Sequence, residues 1–225
     1  TGWLIHEGED GFFVTSDADF LSKAEHHLLS TLVQMGYQCK KLSEFANVVR
    51  KWHYSAGARA VVQLKQDVTV KSEEKPLSDD DSAGGPGHMA FGMVLKLEKQ
   101  LQRYREKIAE LEAELLQDDS LPLSRLPIFL EDDRRVLSML HSLVGRIQSK
   151  QLRGAALFDL AWTTAVSHMG GGNVFDALWS LVAGAGQVLA NQLVAWLMYG
   201  RLVDPASEFF IMRTEDARRL PCRAA

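Results

Sequence analysis

The chain has 225 residues, 46% hydrophobic and 24% charged, a balance that excludes general disorder in a chain long enough to bury a real core. A formal net charge of −4 gives no general attraction to nucleic acid or to an anionic membrane surface. Two cysteines, Cys39 and Cys222, lie far apart without C-x-x-C spacing, which points to a reducing compartment and away from a disulfide framework or zinc site. No signal peptide opens the chain and residue 1 is not Met, so the expected setting is cytosolic or nuclear, with the chain start trimmed or missing.

Two short apolar runs, Trp3-Leu4-Ile5 and Phe12-Phe13-Val14, flank Gly8 and Gly11 and predict a hairpin or two extended pieces. Ser22 and Glu25 have capping-box spacing, and Leu28, Leu29, Leu32 and Met35 share a helical face that Gly36 should end. A second helix is expected from Ser43, with Phe45, Val48, Val49 and Trp52 turned inward. Residues 65–88 change character. From Lys71 to Gly87 there is almost no apolar content, so burial cannot offset ordering entropy and the segment reads as a flexible acidic insertion.

Helix resumes beyond it. Leu97, Leu101, Tyr104, Ile108, Leu111 and Leu115 alternate spacings of four and three, a heptad seam that Pro122 ends. Ser124 can cap the next helix, whose first turn tolerates Pro127 and whose buried face should run from Phe129 and Leu130 through Val136, Leu137, Leu140, Leu143 and Val144 to Ile147. Another is expected from Gly154 to His168, with Leu157, Leu160, Ala161, Thr164 and Ala165 inward, broken by Gly170-Gly171-Gly172. Asn173 is a candidate cap for the last helix, which runs to Tyr199.

Between Ala177 and Gly200 that helix carries no charge and is long enough to span a bilayer. Ser180, Gly184, Gln187, Asn191 and Ala195 share one side; Leu178, Val182, Ala185, Leu189, Leu193 and Trp196 share the other. Amides at Gln187, Asn191 and Gln192 would be costly in lipid but are easily paired inside a bundle, so the segment reads as a central bundle helix. The fold class is therefore all-α: an antiparallel bundle of about six helices with a short extended N-terminal segment. Its expected divisions are 1–64 (extended segment and first helices), 65–88 (acidic insertion), 89–211 (helical bundle) and 212–225 (disordered basic tail).

No arrangement that catalysis or metal binding requires emerges. Phosphate-loop, nucleophile-elbow, H-E-x-x-H and dinucleotide fingerprints do not occur, and no Lys, Ser or Thr follows the triple glycine to complete an anion site. His26 and His27 are adjacent on a helix and diverge by about a hundred degrees. His141 and His168 lie on separate helices without ligand spacing. Asp132 and Asp133 suit a helix N-terminus, and Glu106, Glu110 and Glu114 form a solvated face. The expectation is no enzyme, no cofactor and no metal.

The informative stretch runs from Asn191 to Ile211. It reads as a helix capped by Gly200 in left-handed geometry, a turn preset by Pro205 after Asp204, and an extended apolar tip. The pattern L-x-x-W, then G-x-L-x-D-P-x-x-E-F-F-I, resembles the hallmark of the gamma-tubulin complex component family. The matching residues are Leu193, Trp196, Gly200, Leu202, Asp204, Pro205, Glu208, Phe209, Phe210 and Ile211. The runs Asp19 to Glu25, Gln148 to Gly154 and Glu114 to Asp118 resemble the component 4 branch, so the likeness covers most of residues 17–211.

The resemblance implies a non-enzymatic scaffold: the N-terminal module through which components assemble side by side in microtubule nucleation, at minus ends, centrosomes and spindle poles. Implied partners are other complex components, with gamma-tubulin reached indirectly, and neither nucleic acid nor membrane. Family members usually open with a further apolar helix and continue into a C-terminal domain that binds gamma-tubulin, so this chain reads as a fragment, a truncated gene product or a misassigned one. Two alternatives stand beside this one: a coiled-coil dimerising adaptor built on the Leu97–Leu115 seam, and a membrane-anchored protein using the uncharged helix. The tip Phe209-Phe210-Ile211 is expected to pair with the Ile5 or Phe12 segment or to stay open.

Overall fold

The computed structural model describes residues 5–8, 11–14, 22–68, 85–117, 125–200, 204, 206 and 208–211, with side chains of the first helix described as far as residue 55. Strands β1 (Ile5–Gly8) and β2 (Gly11–Val14) pair antiparallel, Ile5 opposite Val14 and Gly8 opposite Gly11. Six helices follow among the described residues: α1 (Lys23–Val68), α2 (Gly87–Gln117), α3 (Arg125–Phe129), α4 (Glu131–Ser149), α5 (Gly154–Ser167) and α6 (Asn173–Tyr199). The fold is an all-α bundle with a hairpin attached.

The capping box forms as its spacing predicts. Ser22 N–H donates to Glu25 Oε2 at 2.8 Å, and Glu25 N–H donates to Ser22 Oγ at 3.3 Å. Those bonds, the backbone one first, hold the Glu25 carboxyl below the usual range. Gly36 does not end the helix. It is exposed within one continuous α1, because Met35, Tyr37, Leu42, Phe45, Ala46 and Val49 carry a buried face through the glycine. One interior glycine costs about 1 kcal/mol, less than the burial of a single such side chain. Val48 is correspondingly exposed rather than inward, and Trp52 is half-buried.

Both edges of the expected 65–88 insertion are helical, since α1 runs to Val68 and α2 begins at Gly87. Residues 69–84, Pro122, Ser124 and the 212–225 tail lie outside the described residues. In α2, Leu97 and Leu101 are buried and Tyr104 and Ile108 pack against the core, but Leu115 is exposed, so the heptad seam is spent inside the bundle. The single helix expected around Pro127 is two, α3 and α4, separated by a turn at Leu130. Phe129 is consequently exposed, whereas Leu130, Leu137, Leu140, Leu143, Val144 and Ile147 are buried. Glu131, Asp132 and Asp133 occupy the first turn of α4, as the helix dipole favours.

Helix α5 occupies the expected span, with Leu157, Ala161, Thr164 and Ala165 buried. The triple glycine breaks the chain, and Gly170 and Gly172 both have positive φ. Gly172 takes the N-cap position of α6; the Asn173 amide instead donates to Asp132 Oδ2 at 3.2 Å, so its expected capping role is not realised. A common core joins Leu42 and Val49 of α1, Leu97 of α2, Leu140 of α4, Leu157 of α5 and Leu181 of α6.

Helix α6 splits into two halves. Ala177, Leu178, Leu181, Val182, Gly184 and Ala185 are buried, and the helix packs most extensively on α2 and then α5. Gly184 therefore belongs to the buried face, not to a polar side. Beyond Gln187 the helix emerges. Trp196 is 38% exposed and Tyr199 73%, so the expectation that Trp196 is wrapped by sister helices fails for this half. Two of the three amides are not sequestered, since Gln187 and Asn191 pair with each other at an exposed position, 3.0 Å apart; Gln192 is half-buried and donates to Asp204. By length and composition, α6 is the one described helix apolar enough to cross a membrane.

Candidate assembly site

The residues singled out at the end of α6 lie on a helix terminus and the segment just beyond it. Gly200 caps α6 with φ 61° and ψ 18°, left-handed backbone that glycine adopts without a Cβ penalty, and its N–H donates to Trp196 O at 3.0 Å. Leu202 and Pro205 lie outside the described residues. Asp204 organises the turn after the cap: its Oδ2 accepts the Phe209 N–H at 2.6 Å and its Oδ1 accepts from Gln192 Nε2 at 3.4 Å. A side-chain carboxylate thus closes a turn over five residues and ties it back to α6.

That turn aims the next carboxylate at two helix ends. Glu208 Oε2 accepts the N–H groups of His88 (2.7 Å) and Met89 (3.0 Å) in the first turn of α2, and Oε1 accepts the N–H of Gly154 at the start of α5 (3.1 Å). The first amides of any helix lack intrahelical acceptors and carry the positive end of its dipole. One carboxylate satisfies three such donors on two helices, the charge-assisted kind of hydrogen bond.

Glycine makes the approach possible. A Cβ on Gly87, whose φ is +88°, would fall 1.9 Å from Glu208 Oε1, and Gly154 has φ +51° with its missing Cβ directed at the Glu208 side chain. Phe209 is then fully buried at 1% exposure, whereas Phe210 is 68% exposed, its ring centroid 4.4 Å from that of Phe209. Among the described residues the tip does not pair with the hairpin: β1 and β2 pair with each other, Phe12 packs edge-on against Tyr37 of α1 at 5.6 Å, and the Phe209 amide donates to Asp204.

The structure therefore brings Asp204, Glu208 and Phe209 together with Gly87, His88, Met89 and Gly154, none of which stood out in the sequence for this role. A signal existed: a glycine, Gly87 or Gly154, stands at the first position of each of these two helices. Leu193 and Trp196 sit apart, on the emergent half of α6.

Elsewhere the polar contacts are structural. Lys107 Nζ binds Asp133 Oδ2 at 2.5 Å and Phe129 O at 3.0 Å, tying α2 to α3 and α4. Arg50 and Glu98 pair between α1 and α2. Glu131 accepts from Arg134 and Arg135, which hold its carboxyl down at about 2, Arg134 foremost. No group of three or more potential metal ligands occurs among the described residues.

A helical bundle stapled by its own terminal motif is the class of molecule that this geometry defines. The chain matches the family described as "Gamma tubulin complex component N-terminal" over residues 4–221, and it belongs to that family. It is similar to gamma-tubulin complex component 4 of Arabidopsis thaliana (27% identical over 207 residues, 91% of this chain and 26% of the relative). Similarity to the human component 4 is comparable, 27% over 203 residues, covering 89% of this chain and 27% of the relative. The chain thus spans about a quarter of the length of the curated relatives it matches.

Proposed function

We propose that the chain is a non-enzymatic N-terminal module of a gamma-tubulin complex, acting in side-by-side assembly of components during microtubule nucleation at minus ends and spindle poles. The match to the family over residues 4–221 carries this reading. Its partners are other components of the complex, and gamma-tubulin is reached through them; nucleic acid and membrane play no part. Its place is the cytoplasm and cytoskeleton, at microtubule organising centres. The residues Leu193, Trp196, Gly200, Leu202, Asp204, Pro205, Glu208, Phe209, Phe210 and Ile211 serve this module structurally, Glu208 by fixing two helix ends and Asp204 by closing the segment back onto α6.

Large apolar side chains at the surface favour a protein-binding role. Trp162 and Trp179 are both more than one-third exposed, with ring centroids 5.2 Å apart. The dimerising-adaptor alternative has little seam left, because Leu97 and Leu101 are consumed internally. Affinity purification of the tagged chain tests the reading: other gamma-tubulin complex components should co-purify. Recovery of the chain alone, in extracts where those components are abundant, would contradict it. Resistance of the chain to alkaline carbonate extraction from membranes would favour the membrane-anchored alternative instead.

A further inference from the structure

Helix α6 carries an apolar stripe distinct from its buried face. Trp179, Ala183, Gly186, Ala190, Val194 and Leu197 follow one another at spacings of four and three, and none of them is buried. At its N-terminal half the stripe meets a second one on α5, where Phe158, Trp162 and Val166 recur every four residues. Ring contacts join the two: Phe158–Trp162, Trp162–Trp179 and Trp179–Phe175 have centroids 6.2, 5.2 and 5.8 Å apart. Gly186 leaves room for Phe158, whose Cε2 lies 3.7 Å from the place of the absent Cβ. The surface is uncharged as well as apolar, since no Asp, Glu, Lys or Arg occurs from Ala177 to Tyr199. Gln187 and Asn191, bonded to each other, give it a polar edge.

The stripe is complementary to itself when reversed. A two-fold axis between Gly186 and Gln187 sets Ala183 opposite Ala190 of a second copy, Trp179 opposite Val194, and Phe175 opposite Met198. Small residues then meet at the crossing, where helix axes can approach to about 8–10 Å. Aromatic rings meet aliphatic chains at both ends, and no like charges face each other. We propose that α5 and α6 form a self-association surface on which a second copy of this chain docks, α6 antiparallel to α6, about that axis. The area is sufficient. At about 200 Å² for each large side chain, the exposed parts of Trp162, Val166, Trp179, Val194, Leu197 and Met198 come to roughly 600 Å². With the alanines between them, this approaches the ~800 Å² that each partner gives a standard interface. The contact is isologous and closes at two copies. It uses no part of the α2 seam and goes beyond the proposed side-by-side assembly with other components.

Sedimentation velocity of the full chain tests this. Between about 1 and 100 µM it should show a reversible monomer–dimer equilibrium, the weak end of the range that such areas support. Ala183→Glu should raise the Kd at least about tenfold, because the carboxylate loses its water against the copy's alanine. Adding Ala190→Lys should bring the Kd back to within about threefold of the parent chain, since each carboxylate then faces an ammonium across the axis. Gln148→Glu adds the same charge on the exposed side of α4 and should leave the Kd unchanged.

A chain that stays monomeric to about 100 µM overturns the proposal. So does equal weakening by Gln148→Glu, or failure of Ala183→Glu/Ala190→Lys to restore the dimer. Loss of helical circular dichroism in Ala183→Glu would place that alanine in the core and also overturns it. Cosedimentation of the monomer with phosphatidylcholine vesicles would assign the surface to a membrane instead, against the proposal. Co-purification of other gamma-tubulin complex components is a separate readout, and the assembly role stands or falls on it whatever the chain's own association.

Discussion

Gly184 of α6 lies backbone to backbone on Gly92 of α2. A Cβ on Gly184 would fall 2.3 Å from the Gly92 carbonyl oxygen, and one on Gly92 would fall 2.4 Å from the Gly184 oxygen. The two helices make the most extensive contact in the bundle, and this crossing sets how close they come. Backbone cannot yield as a flexible side chain can. Gly184→Ala should therefore destabilise the fold by roughly 1–3 kcal/mol despite alanine's better helix propensity. At exposed Gly145 in α4, where no atom lies within 4 Å of an added Cβ, alanine should stabilise by about 0.5–1 kcal/mol. Urea unfolding of the two variants checks the opposite signs.

Gly87 and Glu208 should be coupled. Alanine at Gly87 meets both a positive φ and the carboxylate, and should cost roughly 1–3 kcal/mol in the parent chain. In a Glu208→Ala background the clash is gone and only the backbone strain remains. A double-mutant cycle should return an interaction of at least about 1 kcal/mol. Additive losses would show that the two do not meet.

The two halves of α6 should respond differently. Leu181 is buried, so Leu181→Ala should cost about 2–5 kcal/mol. Met198 is 73% exposed, and Met198→Ala should change stability by less than about 0.5 kcal/mol. Thermal melts resolve the contrast, since each kcal/mol moves Tm by about 2–4 °C in a chain of this size.

Stability should fall on both sides of neutrality. His53 stacks flat on Phe91 at 3.7 Å and meets His88 edge-on at 5.3 Å; burial, then the neighbouring His88, lowers its pKa. The unfolded chain then takes up a proton near its ordinary value of 6.5 that the folded chain resists, so stability is full above that pH and declines as pH falls below it. Tyr104 behaves oppositely. Burial first, then the charges of Cys39 and Asp133, push its phenol up to about 12. The unfolded chain ionises near 10, so that contribution is intact below 10 and lost as pH rises toward 12. Urea midpoints should drop from about pH 7.5 to about pH 5.5, and His53→Gln should flatten that acid slope.

Helix ends governed by local chemistry are legible in the sequence. The Ser22–Glu25 box and the left-handed cap at Gly200 each depend on residues within one turn. Gly36 misleads because propensity is local while the buried face that overrides it, from Met35 to Val49, is tertiary. The emergence of α6 is invisible for the same reason: an uncharged helix reads alike whether covered or bare. Within the site, the turn at Asp204 can be anticipated from Asp-Pro, but the role of Glu208 cannot. Its donors lie in two other helices, and no spacing rule joins residues 54 and 120 apart.

Unfolding of Glu208→Ala addresses most directly whether the terminal motif holds its own bundle together. A loss of about 2–4 kcal/mol in the urea-extrapolated stability is expected, because three helix-terminal donors lose a charged acceptor. A variant within about 0.5 kcal/mol of the parent chain would contradict that role for Glu208.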